Sequence, residues 1–297
     1  MFRKLIRFYK AIYHLSREQE GLKMMVGKVL SNQIKSLPIT SLHDAEFKVF
    51  SQFGDDGIIQ YLINNVPISN KVFIEFGVED YKESNTRFLL MNNNWRGLIM
   101  DASEENIKEI QHEDIYWKYE LTAKATFITR ENINQLIKDA GLSGEIGLLH
   151  IDIDGNDWWV WQAIEVIDPV IVIVEYNSVF GIDRAITVPY AADFSFTKAH
   201  HSNLYWGASL LSFCDLAQEK GYAFVGSDSS GNNAYFVRKD KVGSLKVLTA
   251  QEGYVSSRYR EGRDEKGGLT YVSGKDRIEV IRGMQVYNTR KNQLEVL

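Results

Sequence analysis

From about residue 45 onward, short unbroken apolar runs alternate with segments whose apolar positions recur every three or four residues. The runs are "KVFIEFG", "WRGLIMDAS", "IGLLHIDIDG" and "PVIVIVEYN". Each reads as a strand buried on both faces, which implies a parallel sheet covered by helices. "DDGIIQYLINNV", "NTRFLLMNN", "EENIKEIQ", "ENINQLIKDAG" and "DWWVWQAIEVI" read as the helices between them. Asn85 or Thr86 is placed to cap the second of these and Gly141 to close the fourth. "ATFIT" reads as a further short strand. After a long loop comes the helix "ASLLSFCDLAQEKG", then "YAFVGS" and "AYFVRK" around "DSSGNN", an antiparallel hairpin. The pattern predicts an α/β chain: a Rossmann-like, doubly wound, mostly parallel sheet with an antiparallel hairpin at one edge.

Ahead of this domain, residues 1–40 read as helical, with Phe2, Leu5, Ile6, Tyr9, Ile12 and Tyr13 at helical spacing among basic residues. The expected organisation is an N-terminal helical extension over 1–44, the main domain over 45–241, and a mixed C-terminal segment over 242–297 packed on it. In that last segment "LTYVS" and "RIEVIRGMQVY" read as strands and "RDEKGG" as a turn. A basic amphipathic N-terminus suits packing on the domain, a homodimer contact, or a membrane surface.

Composition changes this picture little. The chain has 297 residues, 44% hydrophobic and 25% charged, the composition of a globular protein. A net charge of −5 gives no general attraction to nucleic acid or anionic lipid. No apolar run is long enough to span a membrane, and one cysteine, Cys214, permits no internal disulfide, so a cytoplasmic protein is expected.

The chemistry concentrates where strands end. Three ends carry acidic or small residues: Glu75-Phe76-Gly77, Asp101-Ala102-Ser103 and Asp152-Ile153-Asp154-Gly155. In open α/β sheets ligands sit beyond the carboxyl ends of the strands, and an acid ending the second strand binds ribose hydroxyls. Gly77 and Asp101 stand about one β-α-β step apart. Yet no G-x-G-x-x-G follows the first strand; Glu79, Asp80 and Glu83 stand there instead. Acids repel a pyrophosphate and suit a cationic or zwitterionic ligand, which favours S-adenosylmethionine (SAM) over NAD.

"FIEFGVEDYKESNTRFLL…NWRGLIMDASEENI" resembles motifs I and II of class I SAM-dependent methyltransferases. "SQFGDDGII", "LLHIDIDGNDWWVWQAI" and "WGASLLSFCDLAQEKGYAFVG…GNNAYFVR" are similar to the FkbM-like branch, often encoded with bacterial capsule or O-antigen genes. The resemblance covers roughly residues 50–240 and departs from the glycine-rich form of motif I. It implies that Glu75 and Gly77 lie under the methionine and ribose, and that Asp101 holds the ribose hydroxyls. Ala102 and Ser103 would flank the adenine, Gln52 would reach the carboxylate or ribose, and Asn85 and Thr86 would line the amino-acid end.

A sugar hydroxyl needs a base, or a metal that lowers its pKa, before it can accept a methyl group. His150, Asp152, Asp154 and Asp157, with Glu175 and Asn177 at the next strand end, form the candidate acid cluster. Asp152, Asp154 and Glu175 are the catalytic candidates there, and Asp152, Glu175 and Asn177 offer oxygens suited to Mg²⁺ or Mn²⁺. Asp154 and Asp157 equally suit a helix start. His201, beside His200 in the long loop, is a second candidate base. The expected reaction is O-methylation of a sugar hydroxyl on a nucleotide-sugar or other small-molecule precursor, with no nucleic-acid partner. The rivals are a phosphate- or phosphoramidate-type acceptor, and a binding protein of this fold without catalysis.

Overall fold

The computed structural model describes residues 2–297, and for residues 2–14 and Ser16 the backbone alone. Helix α1 spans Phe2–Gln33 and α2 Asp55–Asn65. Strand β1 (Val72–Phe76), α3 (Arg87–Asn93), β2 (Arg96–Asp101), α4 (Glu104–His112), α5 (Asp114–Lys118) and β3 (Leu121–Ala125) follow. Next come α6 (Ile133–Asp139), β4 (Gly144–Ile151), α7 (Asp157–Ala163) and β5 (Ile167–Glu175). The chain ends with β6 (Ile186–Thr187), α8 (Phe196–Ala199), α9 (Leu210–Glu219), β7 (Tyr222–Ser227), β8 (Asn233–Arg238), α10 (Ala250–Gly253), α11 (Asp276–Val280), β9 (Gln285–Asn288) and β10 (Gln293–Val296).

One seven-stranded sheet has the order β3-β2-β1-β4-β5-β8-β7. The first five strands run parallel, and the β7–β8 hairpin joins antiparallel at the β5 edge. The fold is α/β and Rossmann-like. Successive side chains of a strand point to opposite faces, and the core divides accordingly. Val72, Ile74 and Phe76 pack with α6, α7 and α9 on one face, whereas Phe73 packs with α2, α3 and α4 on the other. Trp158, Trp159 and Trp161 of α7 are buried in that first layer; the indole N–H groups of Trp158 and Trp159 donate to the carbonyls of Ser212 and Val188. The chain runs outward from β1 to β3 and then returns to β4 on the other side of β1. The strand order therefore reverses between β1 and β4, where a cleft opens at the strands' carboxyl ends.

Several elements differ from the sequence pattern. The N-terminal helix ends at Gln33 instead of near residue 40, and a short 3-10 turn, Leu42–Ala45, follows. The third strand is Leu121–Ala125, upstream of "ATFIT", because Leu121 and Ala123 pair with β2 and face the core. "LTYVS" makes one isolated bridge, Arg263 to Leu269, and no strand. "RIEVIRGMQVY" divides into helix α11 and strand β9. β9 lies between β6 and β10 in a second, three-stranded sheet, so the C-terminal segment is stitched to the loop after β5. Ile281 and Val286 fill the apolar cluster beneath that loop with Phe180, Ile186, Val188 and Leu204.

Candidate active-site cleft

The cleft measures about 530 Å³ and is floored by the ends of β1, β2, β4 and β5. Glu75 is buried at the end of β1. Its Oε2 accepts from Ser84 Oγ (2.6 Å), from the backbone N–H of Thr86 (3.3 Å) and from the Thr86 hydroxyl; its Oε1 accepts from the Asn85 N–H (2.9 Å) and faces His150 Nδ1 (3.0 Å). Burial pushes the Glu75 carboxyl up, but His150 and the hydroxyls of Ser84 and Thr86 outweigh it and hold the pKa below the ordinary value. Burial pushes His150 down, and Glu75, then Asp152 and Asp55, overcome this and raise it. Glu75 thus ties the loop after β1 to β4. Thr86 stands at the N-cap position of α3, but its hydroxyl serves Glu75 and Tyr81 and does not cap the helix. It lies behind Glu75, outside the cleft wall, whereas Asn85 lines the cleft and reaches His150 Nε2 at 3.2 Å.

Gly77 has φ +70°, and a Cβ there would stand 1.6 Å from the carbonyl oxygen of Asp152. The glycine is required by the close approach of β1 and β4, and the same approach sets Asp152 beside the β1 loop. Asp101 ends β2, where Oδ2 accepts from the Glu79 N–H (2.9 Å) and Oδ1 from the Ser103 N–H (2.7 Å). Asp101 lines the cleft, and each of its oxygens has capacity for a further donor. Ala102 lines the wall; Ser103 caps α4, accepting from the Asn106 N–H, and lies outside the lining. Gln52 reaches the cleft from the loop before α2, with Oε1 3.5 Å from the Tyr259 hydroxyl. Exposed Phe127, just past β3, faces the same side as Ala102.

At the other end, one oxygen each of Asp152, Asp154 and Glu175 lie within 4.8 Å of one another. Burial raises the pKa of Asp152 and lifts that of Glu175 well above the carboxylate range; repulsion from Asp152, Asp154 and Asp157 adds to the latter. Burial and repulsion from Asp152 and Asp157 raise Asp154, which sits in the left-handed region at φ +56°. Glu175 Oε2 is buried without a partner, as are the side-chain oxygens Asn156 Oδ1 and Asn233 Oδ1 in the same wall. Asp157 lies outside the lining and braces the turn, accepting from the N–H groups of Ile153 (2.8 Å) and Gly155 (2.9 Å). Asn177 does not join the carboxylates: its Nδ2 donates to the carbonyls of Leu204 and Trp206, and its Oδ1 accepts from the Val179 N–H. His201 is exposed, 4.3 Å from the His200 ring between centroids, and outside the cleft.

The wall carries eight carboxylates: Glu75, Glu79, Glu83, Asp101, Asp152, Asp154, Glu175 and Glu261. Among its described residues Arg277 is the single Lys or Arg, and its guanidinium donates to the carbonyls of Ser257 and Gly274. Ser257, Tyr259, Glu261 and Arg277 come from the C-terminal segment, and no motif in the sequence marks them. His150 was visible as part of "HIDIDG", but its place between Glu75 and Asn85 depends on pairing β4 with β1.

No known family model and no curated protein sequence matches the chain. Among solved structures it is similar to the N-terminal domain of EvdMO1 with S-adenosylhomocysteine bound, at 10% identity over 64% of this chain and 81% of that one, with a TM-score of 0.40. It is also similar to a SAM-dependent methyltransferase from Clostridium acetobutylicum, at 9% identity over 62% and 89% of the two chains, TM-score 0.40. The DszA carbon methyltransferase gives 12% identity over 62% and 52%, TM-score 0.38. All three fall below a TM-score of 0.5 and concern the course of the chain alone.

Proposed function

We propose that the protein is a SAM-dependent O-methyltransferase that acts on a sugar hydroxyl, carried by a nucleotide-activated sugar or by a capsule or O-antigen precursor in the cytoplasm. The observation that carries the cofactor assignment is the charge of the cleft. Eight acidic side chains face one already engaged arginine at the switch point where this fold binds nucleosides; burial and mutual repulsion keep protons within the Asp152–Asp154–Glu175 group, and Glu79, Glu83, Asp101 and Glu261 still make the cleft negative. A pyrophosphate would meet repulsion there, while a sulfonium and an ammonium are attracted. Asp101 is placed for two ribose hydroxyls, and Ala102 with Phe127 for the faces of a purine. Gln52 and Asn85 are within reach of the amino-acid end; Glu75 and Gly77 hold the floor. When bound, SAM supplies an electrophilic methyl group.

The acceptor assignment rests on the sequence resemblance, and it is supported by the polar lining at this end of the cleft, Asn156, Glu175, Asn203 and Asn232, which suits a ligand rich in hydroxyl groups. Phe194, Phe196, Trp206 and Tyr259 offer apolar plates beside them. Asp152, Asp154 and Glu175 crowd one another, and whichever of them is ionised is placed to take the acceptor's proton; alternatively the three would hold a Mg²⁺ or Mn²⁺ ion, which would make that proton easier to lose. His201 has no part in this reading. A phosphate as the methylated group would face the same repulsion, so with a nucleotide-sugar only the sugar enters the acidic cleft and its diphosphate stays outside.

Calorimetric titration with S-adenosylhomocysteine, beside NAD and with or without Mg²⁺, tests the assignment. Binding of S-adenosylhomocysteine and not NAD supports it, and methyl transfer to a nucleotide-sugar separates an enzyme from a binding protein. Absence of binding would sink it.

A further inference from the structure

Helix α1 carries two longitudinal faces, and among its described side chains only one is filled. Arg17, Glu20, Met24, Gly27, Ser31 and Ile34 are spaced alternately three and four residues apart. All six meet the protein's own domain. Arg17 pairs with Asp114 at 3.0 Å and Glu20 with Arg87 at 3.1 Å. Met24 packs on the Val49–Phe50–Phe88 cluster, and Gly27 approaches the same side chains so closely that a Cβ would lie 2.6 Å from Val49. The Ser31 hydroxyl donates to Gln60 at 2.8 Å, and Ile34 is buried.

The opposite face repeats the spacing with different residues. Leu15, Gln19, Leu22, Val26 and Val29 follow one another at intervals of four and three, and the sequence continues the series upstream at Ile12, Phe8 and Leu5. Leu15, Leu22, Val26 and Val29 are 57–65% exposed, and Met25 beside them is 61% exposed. A 3–4 apolar repeat sustained over a 32-residue helix is the seam of a coiled coil, in which each seam residue inserts between four residues of a second helix. A single polar seam position, here Gln19, fixes register.

We propose that this seam pairs with α1 of a second copy of the same chain as a parallel two-stranded coiled coil. Charge favours this occupant. Glu18 flanks the seam just before Gln19, and Lys23 flanks it just after Leu22. In a parallel pair these two positions face each other across the seam, so Glu18 meets Lys23 of the partner subunit, twice by symmetry. Both are exposed, and among the described residues neither forms an ion pair within the chain. The domain-facing residues occupy the outermost positions of such a coil, so the two domains hang outward on opposite sides. An anionic bilayer would instead meet Glu18 at the edge of the apolar face.

Sedimentation of the full chain from low to high micromolar concentration tests the pairing. The expected species has twice the 34.1 kDa chain mass. Leu22→Glu combined with Val29→Glu is expected to yield a monomer with an unchanged circular dichroism melt of the main domain. Glu18→Lys and Lys23→Glu alone are each expected to weaken the dimer about threefold to tenfold, and together to restore it to within about twofold. Four results overturn the proposal: a monomer at every concentration, a dimer that survives the Leu22/Val29 change, single charge variants that the double does not rescue, or a monomer that floats with phosphatidylserine vesicles.

Discussion

Replacing Glu75 by Gln separates a structural role from a ligand-binding one. The side chain receives hydrogen from Ser84, Asn85, Thr86 twice and, at 3.0 Å, His150, all out of solvent. Gln retains one oxygen, sufficient for Ser84 and Thr86. Its amide nitrogen then confronts the Asn85 N–H, and the buried His150 loses its counter-charge. Breaking a buried pair from one side costs about 3–5 kcal/mol. At about 2–4 °C per kcal/mol for a chain of this size, the melting temperature should fall on the order of 10 °C. The loss has a signed pH dependence. Glu75 is held below its ordinary pKa, so its stabilisation is present above the unfolded carboxylate value and is lost as pH falls through the lowered folded one. His150 is raised, so its stabilisation is complete below the unfolded imidazole value and is lost as pH rises through the raised folded one. The wild-type advantage over Glu75→Gln should therefore peak between the unfolded carboxylate and the unfolded imidazole values, and shrink as pH falls toward the lowered Glu75 value or rises toward the raised His150 value. Urea unfolding of both proteins at several pH values measures this. A difference under about 1 kcal/mol, or one independent of pH, would refute the assigned pair.

Gly77→Ala should destabilise by more than about 2 kcal/mol, because the φ of +70° and a 1.6 Å approach to the Asp152 carbonyl both exclude a Cβ; thermal melting shows it, and an unchanged melt contradicts the β1–β4 contact. Asp101→Asn keeps an oxygen for one of the two local N–H groups but loses charge and the other acceptor, so S-adenosylhomocysteine should bind about tenfold to a hundredfold more weakly by calorimetry while the fold is retained. Asp152→Asn should leave that binding within a few fold and abolish methyl transfer; surviving turnover would remove Asp152 from the chemistry.

Much of this molecule was legible in its residue order. Unbroken runs such as "PVIVIVEYN" can be satisfied only by a strand covered on both sides, so the parallel sheet followed directly from hydrophobic pattern. A carboxylate at three successive strand ends likewise announced where ligands gather, because parallel strands bring their carboxyl ends to one edge. What the order of residues left open were relations between distant segments. "RIEVIRGMQVY" has the apolar content of a strand throughout, yet its first half coils into α11, since Ile278 and Ile281 meet the loop after β5 on one helical side. Glu75 lines the cleft, and only the pairing of β1 with β4 shows that His150 stands within hydrogen-bonding distance of it, whereas Asn177, read as an oxygen ligand, has its amide taken by the loop carbonyls of Leu204 and Trp206. His201 had suitable chemistry but lies outside the wall, while Tyr259 and Arg277, with no motif to mark them, are carried into it by the second sheet. Local pattern determines which segments must be buried, because burial is a property each residue pays for individually. Which polar groups end as partners is decided only when strand order brings them together, because a hydrogen bond depends on two positions that the chain separates by as many as 207 residues.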